Sequence, residues 1–183
     1  MKNLRTAVIR YAKMLNTKKL SALRSGNISA RYKNGFLITP SGTKYSLLKN
    51  KDIVFVSLKG EFDKKNGIPS SEWRFHQDIY KNKIEAKAIV HAHSNYATAI
   101  STHGKGIPAF HYMVAMAGGN DIKCAKYATY GTRELSNNIL KALKQRNACL
   151  IGNHGQIAFS ENLSKAFELA EEVENLSNQY IKA

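Results

Sequence analysis

The sequence has 183 residues, of which 43% are hydrophobic and 22% charged, and its formal net charge is +15 at pH 7. This balance is typical of a folded chain rather than a disordered one and predicts one domain over residues 1–183. It contains no apolar run long enough to cross a bilayer, and Arg10 and Lys13 interrupt the first apolar segment, which argues against a signal peptide. We therefore expect no membrane partner.

The surplus of positive charge can attract nucleic acid, acidic lipid or phosphorylated metabolites. The lysines are spread along the chain, and we find no zinc finger, RNA-binding aromatic motif or helix-turn-helix. We therefore expect no nucleic-acid partner, and a phosphate-bearing substrate would gain from the positive field. The two cysteines, Cys124 and Cys149, lack metal-type spacing and are interpreted as reduced thiols of a cytoplasmic protein.

The first half of the chain alternates between predicted helices and strands. One face of an opening helix is marked by Leu4, Val8, Tyr11 and Leu15. The segments GFLITPSG (35–42) and DIVFVSLKGEF (52–62) are apolar and β-branched, which predicts strands. The segment SEWRFHQDIYKN predicts a helix that begins near Ser71.

The second half continues this alternation. The segment AKAIVHAHS (86–94) predicts a strand, SNYATAIST (94–102) a short helix, and TRELSNNILKALKQR (132–146) an amphipathic helix. ACLIGNHGQIAFS (148–160) predicts two strands around a turn. The last helix carries an apolar stripe formed by Ala166, Leu169, Val173, Leu176 and Tyr180. Uneven spacers and the lack of a Gly-x-Gly-x-x-Gly turn argue against a doubly wound nucleotide-binding fold, so we expect a mixed sheet layered with helices.

Two histidines stand at the end of a predicted strand, in the stretch AIVHAHSN. Because side chains alternate along a strand, His91 and His93 project from the same face, with Ala92 on the other. Neighbouring imidazoles suit a divalent cation. The alternative is a pair of histidines that bond to water or backbone at a strand end. His154, in LIGNHGQIAF, favours the metal because it also lies where a strand enters a glycine turn, and Gly155 lets the ring turn back over the sheet.

Glu72 stands at the start of a predicted helix, where a carboxylate is favoured by the helix dipole alone. It is also a candidate mobile ligand and general base near the metal. The preceding Ser70 and Ser71, with the amides of a helix start, are typical of an anion site. Two more turns of small residues contribute Gly26, Asn27, Ser41 and Gly42. Together these turns and the histidines indicate a site for a small phosphorylated substrate.

The remaining histidines, His76, His103 and His111, carry no strand-end signal. His76 shares a helix face with Glu72 and is considered as a supporting partner of the site, but a surface or packing role is the simpler interpretation.

Seven motifs occur in a fixed order from about residue 24 to the last helix: SGNISARY, LITPSG, IPSSEWRFH, IVHAH, IPAFHYM, AGGNDIKCAKYATYGTRELS and NHGQIA. Together they resemble the class II aldolase/adducin family, and within it the branch that cleaves L-fuculose 1-phosphate. The resemblance implies an α/β fold with a central, mainly antiparallel sheet sandwiched between helical layers. It also implies a fourfold symmetric homotetramer with active sites at subunit interfaces.

The resemblance further implies roles for individual residues. His91, His93 and His154 would bind one Zn²⁺ per subunit, with Glu72 as the fourth ligand in the resting enzyme. The substrate phosphate would be held by Gly26, Asn27, Ser41, Gly42, Ser70 and Ser71. Tyr112 would reach into a neighbouring subunit's site as an acid, although its residue context alone predicts an aromatic that packs on an apolar helix.

The activity implied is zinc-dependent cleavage of a ketose 1-phosphate, L-fuculose 1-phosphate or similar, to dihydroxyacetone phosphate and a short aldehyde such as lactaldehyde. Substrate oxygens would displace Glu72 from the zinc, and the freed carboxylate would move the proton on the donor carbon while Tyr112 serves the aldehyde oxygen. No lysine Schiff base is required.

Three alternatives remain within the family: a pentose-5-phosphate 4-epimerase, a sugar-phosphate dehydratase and a non-catalytic, adducin-like oligomerisation module. The residues WRFH after Glu72 and the FHYM segment favour the aldolase, and the intact histidine triad argues against the module. The fuculose-phosphate branch carries a C-terminal tail with another functional tyrosine, whereas this sequence ends at Ala183. Tyr180 belongs to the stripe of the last helix and is not equated with that residue, so we expect weaker control over the aldehyde.

Overall fold

A seven-stranded sheet forms the centre of the computed structural model, which describes residues 2–183. Its strands are β1 (Asn27–Tyr32), β2 (Gly35–Ile38), β3 (Val54–Ser57), β4 (Ala88–Ala92), β5 (Cys124–Ala125), β6 (Ala148–Ile151) and β7 (Gly155–Ser160). They lie in the order β3-β2-β1-β4-β7-β6-β5. Neighbouring strands are antiparallel except for the parallel pair of β5 and β6. The expected mainly antiparallel sheet is therefore confirmed.

Helices cover both faces of the sheet. They are α1 (Lys2–Thr17), α2 (Trp73–Asn82), α3 (Asn95–Ser101), α4 (Arg133–Ala142) and α5 (Leu163–Lys182). One apolar cluster joins α1, α3 and α5 to one face of the sheet, and a second joins α2 and α4 to the other. Burial of these two faces supplies the main hydrophobic stabilisation, and it also fixes which residues of each strand face which layer.

Strand β4 shows how this alternation prepares a site. Val90 and Ala92 lie in the α1, α3 and α5 cluster, whereas Ile89 lies in the α2 and α4 cluster. His91 follows the same alternation, so its ring enters the layer of α2, where the ring of Phe75 meets it edge-on at 5.3 Å between centroids. The prediction that Ala92 faces the opposite layer is confirmed.

Some local predictions differ from the structure. The SGNIS segment was interpreted as a turn, but it opens strand β1, whose polar Asn27 and Ser29 are buried because other buried side chains satisfy them. Helix α2 begins at Trp73 rather than near Ser71, with Glu72 at its N-cap and no side-chain cap. Tyr180, the last residue of the predicted apolar stripe of α5, is 36% exposed and packs against Phe110.

Within residues 2–183, none of the helices combines the length and the apolar character that crossing a membrane requires.

Candidate metal centre and substrate cleft

Four side chains distant in the sequence converge at one edge of the sheet. Glu72, His91, His93 and His154 each present one ligand atom, and these atoms lie within 4.8 Å of one another. The three imidazole rings are 4.7 to 4.9 Å apart between centroids. The sequence prediction that these four residues share a site is therefore matched by their positions.

Strand pairing brings the histidines together. His91 is the fourth residue of β4, and His93 lies one position past its end. Ala92 pairs with Gln156 of the neighbouring β7, which places the turn containing His154 beside the end of β4. A Cβ at Gly155 would lie 2.3 Å from the Ala92 carbonyl oxygen, so only glycine permits this close approach.

The hydrogen bonding of His91 determines which of its nitrogens can bind a metal. Its Nδ1 lies 2.8 Å from the Gln156 carbonyl oxygen, which can only accept, so Nδ1 carries the proton. In the neutral ring Nε2 is then a bare lone pair, and this atom faces His93 Nε2 at 2.9 Å. A backbone carbonyl that orients a histidine in this way is a usual companion of a metal ligand.

Glu72 completes the set of ligand atoms. Its Oε2 lies 3.1 Å from His91 Nε2 and its Oε1 lies 3.1 Å from His154 Nε2. Oε1 is buried and has no hydrogen-bond partner among the described residues. A tetrahedral zinc ion with ligands at ~2.0–2.1 Å sets the ligand atoms roughly 3.3 Å apart. The residues present therefore fit a divalent cation of the zinc type, held by three nitrogens and one carboxylate.

The electrostatics of the cluster favour the deprotonated forms of Glu72 and His93. Burial by itself raises the pKa of Glu72, but the adjacent His91 and His154 outweigh this effect and hold the pKa well below its usual range. Burial, with the nearby His91 and His154, lowers the pKa of His93 to about 3. A carboxylate and a neutral imidazole at neutral pH are the forms that bind a metal ion.

A cleft of about 440 Å³ opens beside the cluster. All six predicted phosphate-site residues line it: Gly26, Asn27, Ser41, Gly42, Ser70 and Ser71. Gly26 has a φ of 76°, and a Cβ there would lie 2.7 Å from the His91 carbonyl oxygen, so the first turn must pass directly over the end of β4. The cleft is also lined by Glu72, His93 and His154, which are three of the four residues of the ligand cluster.

Comparison with known protein families shows which family this chain belongs to. The family described as class II aldolase and adducin N-terminal domain matches residues 6–181. The chain belongs to this family.

Individual class II aldolase relatives agree with that result. The chain is 48% identical over 177 residues to 5-methylthioribulose-1-phosphate/5-deoxyribulose-1-phosphate aldolase of Rhodospirillum rubrum, covering 97% of this chain and 80% of the relative. It is 50% identical over 157 residues to L-fuculose phosphate aldolase of Escherichia coli, covering 86% and 73%. A solved structure of L-fuculose 1-phosphate aldolase superimposes with a TM-score of 0.96 at 38% identity, covering 100% of this chain and 86% of that one.

Several cleft residues of this class II aldolase were missed in the sequence. Arg24, Tyr127 and Tyr130 line the cleft, and Arg24 is the one Lys or Arg among the described residues that do so. The Arg24 guanidinium donates a hydrogen bond to the Gly42 carbonyl oxygen at 3.1 Å, which holds it beside the small-residue turns. Its position next to the SGN turn could have indicated a role in phosphate binding. The sequence has 28 Lys and Arg residues, however, and nothing in it distinguishes Arg24 from the others.

His76, for which a surface or packing role was the simpler interpretation, is not at the surface: it packs against aromatic rings and also makes hydrogen bonds toward the site. The ring is fully buried, with Nε2 2.5 Å from Asn27 Oδ1 and Nδ1 2.7 Å from Ser29 Oγ. Asn27 in turn donates from Nδ2 to Glu72 Oε2 at 2.9 Å. The polar side chains of β1 therefore connect His76 to the carboxylate of the cluster.

Tyr112 does not join the cleft of its own chain. It begins a 3₁₀ helix, Tyr112–Ala117, and its side chain is 82% exposed. It lines a different hollow, formed by residues between Ala109 and Asn120. The packing role that its residue context suggested is therefore wrong for the single chain.

Proposed function

We propose that this chain is a zinc-dependent aldolase that cleaves a ketose 1-phosphate, L-fuculose 1-phosphate or similar, into dihydroxyacetone phosphate and a short aldehyde such as lactaldehyde. The names of one relative and one solved structure support this class, because 5-methylthioribulose 1-phosphate and L-fuculose 1-phosphate are both ketose 1-phosphates. Aldol cleavage of such a compound between C3 and C4 gives dihydroxyacetone phosphate. The two compounds differ in the aldehyde half. The observation that carries the proposal is the cluster of four possible ligands beside a cleft lined by serine and glycine turns.

The phosphate group binds at the end of the cleft formed by the small-residue turns. Ser70 and Ser71 precede helix α2, whose first amide groups carry partial positive charge. Gly26, Asn27, Ser41 and Gly42 line the same cleft without bulky side chains, which allows a close approach of phosphate oxygens to the backbone. Arg24 adds a full positive charge, and a guanidinium binds phosphate by charge-assisted hydrogen bonds.

Glu72 acts as the base for the donor carbon. A divalent cation held by His91, His93, His154 and Glu72 supplies Lewis acidity that stabilises negative charge on the substrate carbonyl oxygen. Asn27 holds Oε2 of Glu72, so Oε1 is the oxygen with free lone pairs. In the direction of synthesis, Oε1 takes a proton from C3 of dihydroxyacetone phosphate; in cleavage it returns that proton to C3.

Tyr112 of one subunit transfers a proton to and from the aldehyde oxygen in the active site of a neighbouring subunit. In synthesis the phenol donates its proton to the oxygen of the aldehyde as the C3–C4 bond forms, and in cleavage it accepts that proton. The exposure of Tyr112 in the single chain supports this assignment, because an 82% exposed phenol outside its own cleft is available to another copy. We propose a fourfold symmetric homotetramer as the assembly in which this contact occurs.

The test is a product analysis of the zinc-loaded chain with a panel of ketose 1-phosphates and pentulose 5-phosphates. We expect dihydroxyacetone phosphate and an aldehyde from a ketose 1-phosphate, and no such products from a His93→Ala variant used as control. Formation of a C4 epimer or a dehydrated sugar without dihydroxyacetone phosphate would identify another reaction of the family. The absence of turnover across the whole panel would favour a non-catalytic module.

A further inference from the structure

A continuous row of buried hydrogen bonds runs from the α2 layer to the carboxylate of Glu72. It joins the side chains of Tyr80, Ser29, His76, Asn27 and Glu72, in that order. The five residues are between 0% and 6% exposed. Because these groups are almost completely shielded from water, they are satisfied mainly by one another, and the hydrogen atoms of the row cannot be arranged independently.

The carboxylate of Glu72 determines which atom is the donor and which the acceptor in each hydrogen bond of the row. A carboxylate only accepts, so the Asn27 amide must present Nδ2 to Glu72 and its Oδ1 to His76. An amide oxygen also only accepts, so His76 Nε2 carries the proton. Nδ1 of the neutral ring then accepts from the Ser29 hydroxyl, and the Tyr80 hydroxyl, 2.8 Å away, donates to Ser29.

We propose that His76 is a positioning residue that acts through Asn27 to hold Glu72 Oε2 and leave Oε1 as the reactive oxygen. The inference rests on the proposed role of Glu72 as a base. With its Nε2–H fixed, His76 prevents the Asn27 amide from turning its oxygen toward the carboxylate. A turned amide would place two acceptors against each other and push the carboxylate out of its position.

The packing around His76 supports a fixed ring. Its ring is stacked on Phe75 at 4.9 Å and on Phe36 at 6.5 Å between centroids. Burial is the main reason that its pKa falls to about 3, so the ring is neutral at pH 7 and exists as one of two tautomers. Tyr80, which packs on Phe36 at 5.1 Å, closes the far end of the row.

The direct test is nitrogen-15 NMR of the zinc-loaded chain with labelled histidine, in which protonated and bare ring nitrogens give separate signals. The His76 signals are assigned by their loss in a His76→Gln variant. We expect a proton on Nε2 and a bare Nδ1. A proton on Nδ1 instead would reverse the row and overturn the proposal. This measurement needs no turnover, so its result is independent of whether the chain is an aldolase.

Variants test the functional consequence. His76→Phe keeps the stacked ring but removes both nitrogens, and we expect kcat to fall on the order of 10–100-fold, as for lost outer partners of metal ligands, with KM and zinc content nearly unchanged. His76→Gln, which retains an N–H for Asn27, should recover part of the loss. Equal losses in both variants, or a loss explained by reduced zinc content, would overturn the positioning role. His103→Phe, at an exposed position, is the matched control.

The two proposals can fail separately. If the chain cleaves a ketose 1-phosphate but His76 carries its proton on Nδ1, the positioning role is wrong and the proposed function stands. If His76 carries its proton on Nε2 but the chain cleaves no substrate of the panel, the direction of the row stands and the proposed function is wrong.

Discussion

Nε2 of His91 and Oε2 of Glu72 lie 3.1 Å apart inside the ligand cluster. Because the Gln156 carbonyl oxygen can only accept, a neutral His91 ring carries its proton on Nδ1, and its Nε2 then faces the Glu72 carboxylate as a second acceptor. Two buried acceptors in this position repel each other unless a proton or a metal cation lies between them. The close pair therefore has the geometry that one half of a metal site requires.

Replacement of Glu72 by Gln tests the proposed base. The amide keeps the size of the side chain but cannot accept the C3 proton, so we expect kcat to fall by about 10²–10⁴. Binding of inorganic phosphate, measured by its inhibition of the reaction, should change little because an amide oxygen at this position can still accept the hydrogen bond from Asn27. Glu134→Gln, on the exposed side of α4, is the control. Wild-type turnover in Glu72→Gln would mean that another group is the base.

Replacement of Arg24 by Gln tests the charge in the cleft. Loss of one charge-assisted contact to phosphate costs roughly 1–2 kcal/mol, so we expect KM to rise about tenfold with kcat nearly unchanged. Because Arg24 is exposed, the difference from wild type should shrink as salt is added. Arg133→Gln, outside the cleft, controls for the change in net charge. An equal effect in both variants would show that Arg24 acts only through the overall field.

The buried His76 predicts a pH dependence of stability. Its pKa is lowered from 6.5 to about 3, chiefly by burial, so between these pH values the unfolded chain binds a proton that the folded chain does not. The free energy of unfolding should therefore fall as the pH is lowered through this window, by up to about 1.4 kcal/mol per pH unit for this one group.

Urea unfolding of the metal-free chain at several pH values measures this contribution. Without a bound metal, release of the ion on unfolding cannot contribute to the pH dependence of the free energy of unfolding. We expect a shallower slope in His76→Phe than in wild type, and an unchanged slope in His103→Phe. The same slope in all three proteins would show that His76 is protonated in the folded chain.

Tyr112 can be tested by mixing two inactive variants. Tyr112→Phe chains retain Glu72, and Glu72→Gln chains retain Tyr112, so a site between unlike chains has both groups. In randomly mixed cyclic oligomers about one quarter of the sites should combine them, and activity should return to about that level. Unmixed proteins serve as controls. If mixing restores no activity although hybrids form, Tyr112 does not act across an interface.

The sequence predicted the convergence of His91, His93 and His154 because the signals for it are local. His91 and His93 are two residues apart on a strand, and His154 is placed by a glycine turn that the strand pairing brings back to them. Strand alternation and the chemistry of glycine are enough to predict this arrangement.

The sequence could not predict features that depend on contacts between distant segments. The burial of His76 depends on Asn27 and Ser29. These two residues lie on strand β1, whose small and polar residues predicted a turn instead of a strand. Arg24 owes its place in the cleft to the turns around Gly42 and Ser70, which are distant in the sequence and adjacent to it in the fold. In both cases a side chain gains its role from partners about 20 to 50 positions away, and such pairing leaves no periodic pattern in one sequence.

The zinc content of the purified chain tests the central claim most directly, because every proposed role depends on one cation among His91, His93, His154 and Glu72. We predict one zinc per chain in the wild type and in a His103→Ala control. In His93→Ala the zinc affinity should fall by more than the ~10–100-fold that is typical when a partner of a metal ligand, rather than the ligand itself, is removed. A folded His93→Ala protein that retains the full zinc content would contradict the account.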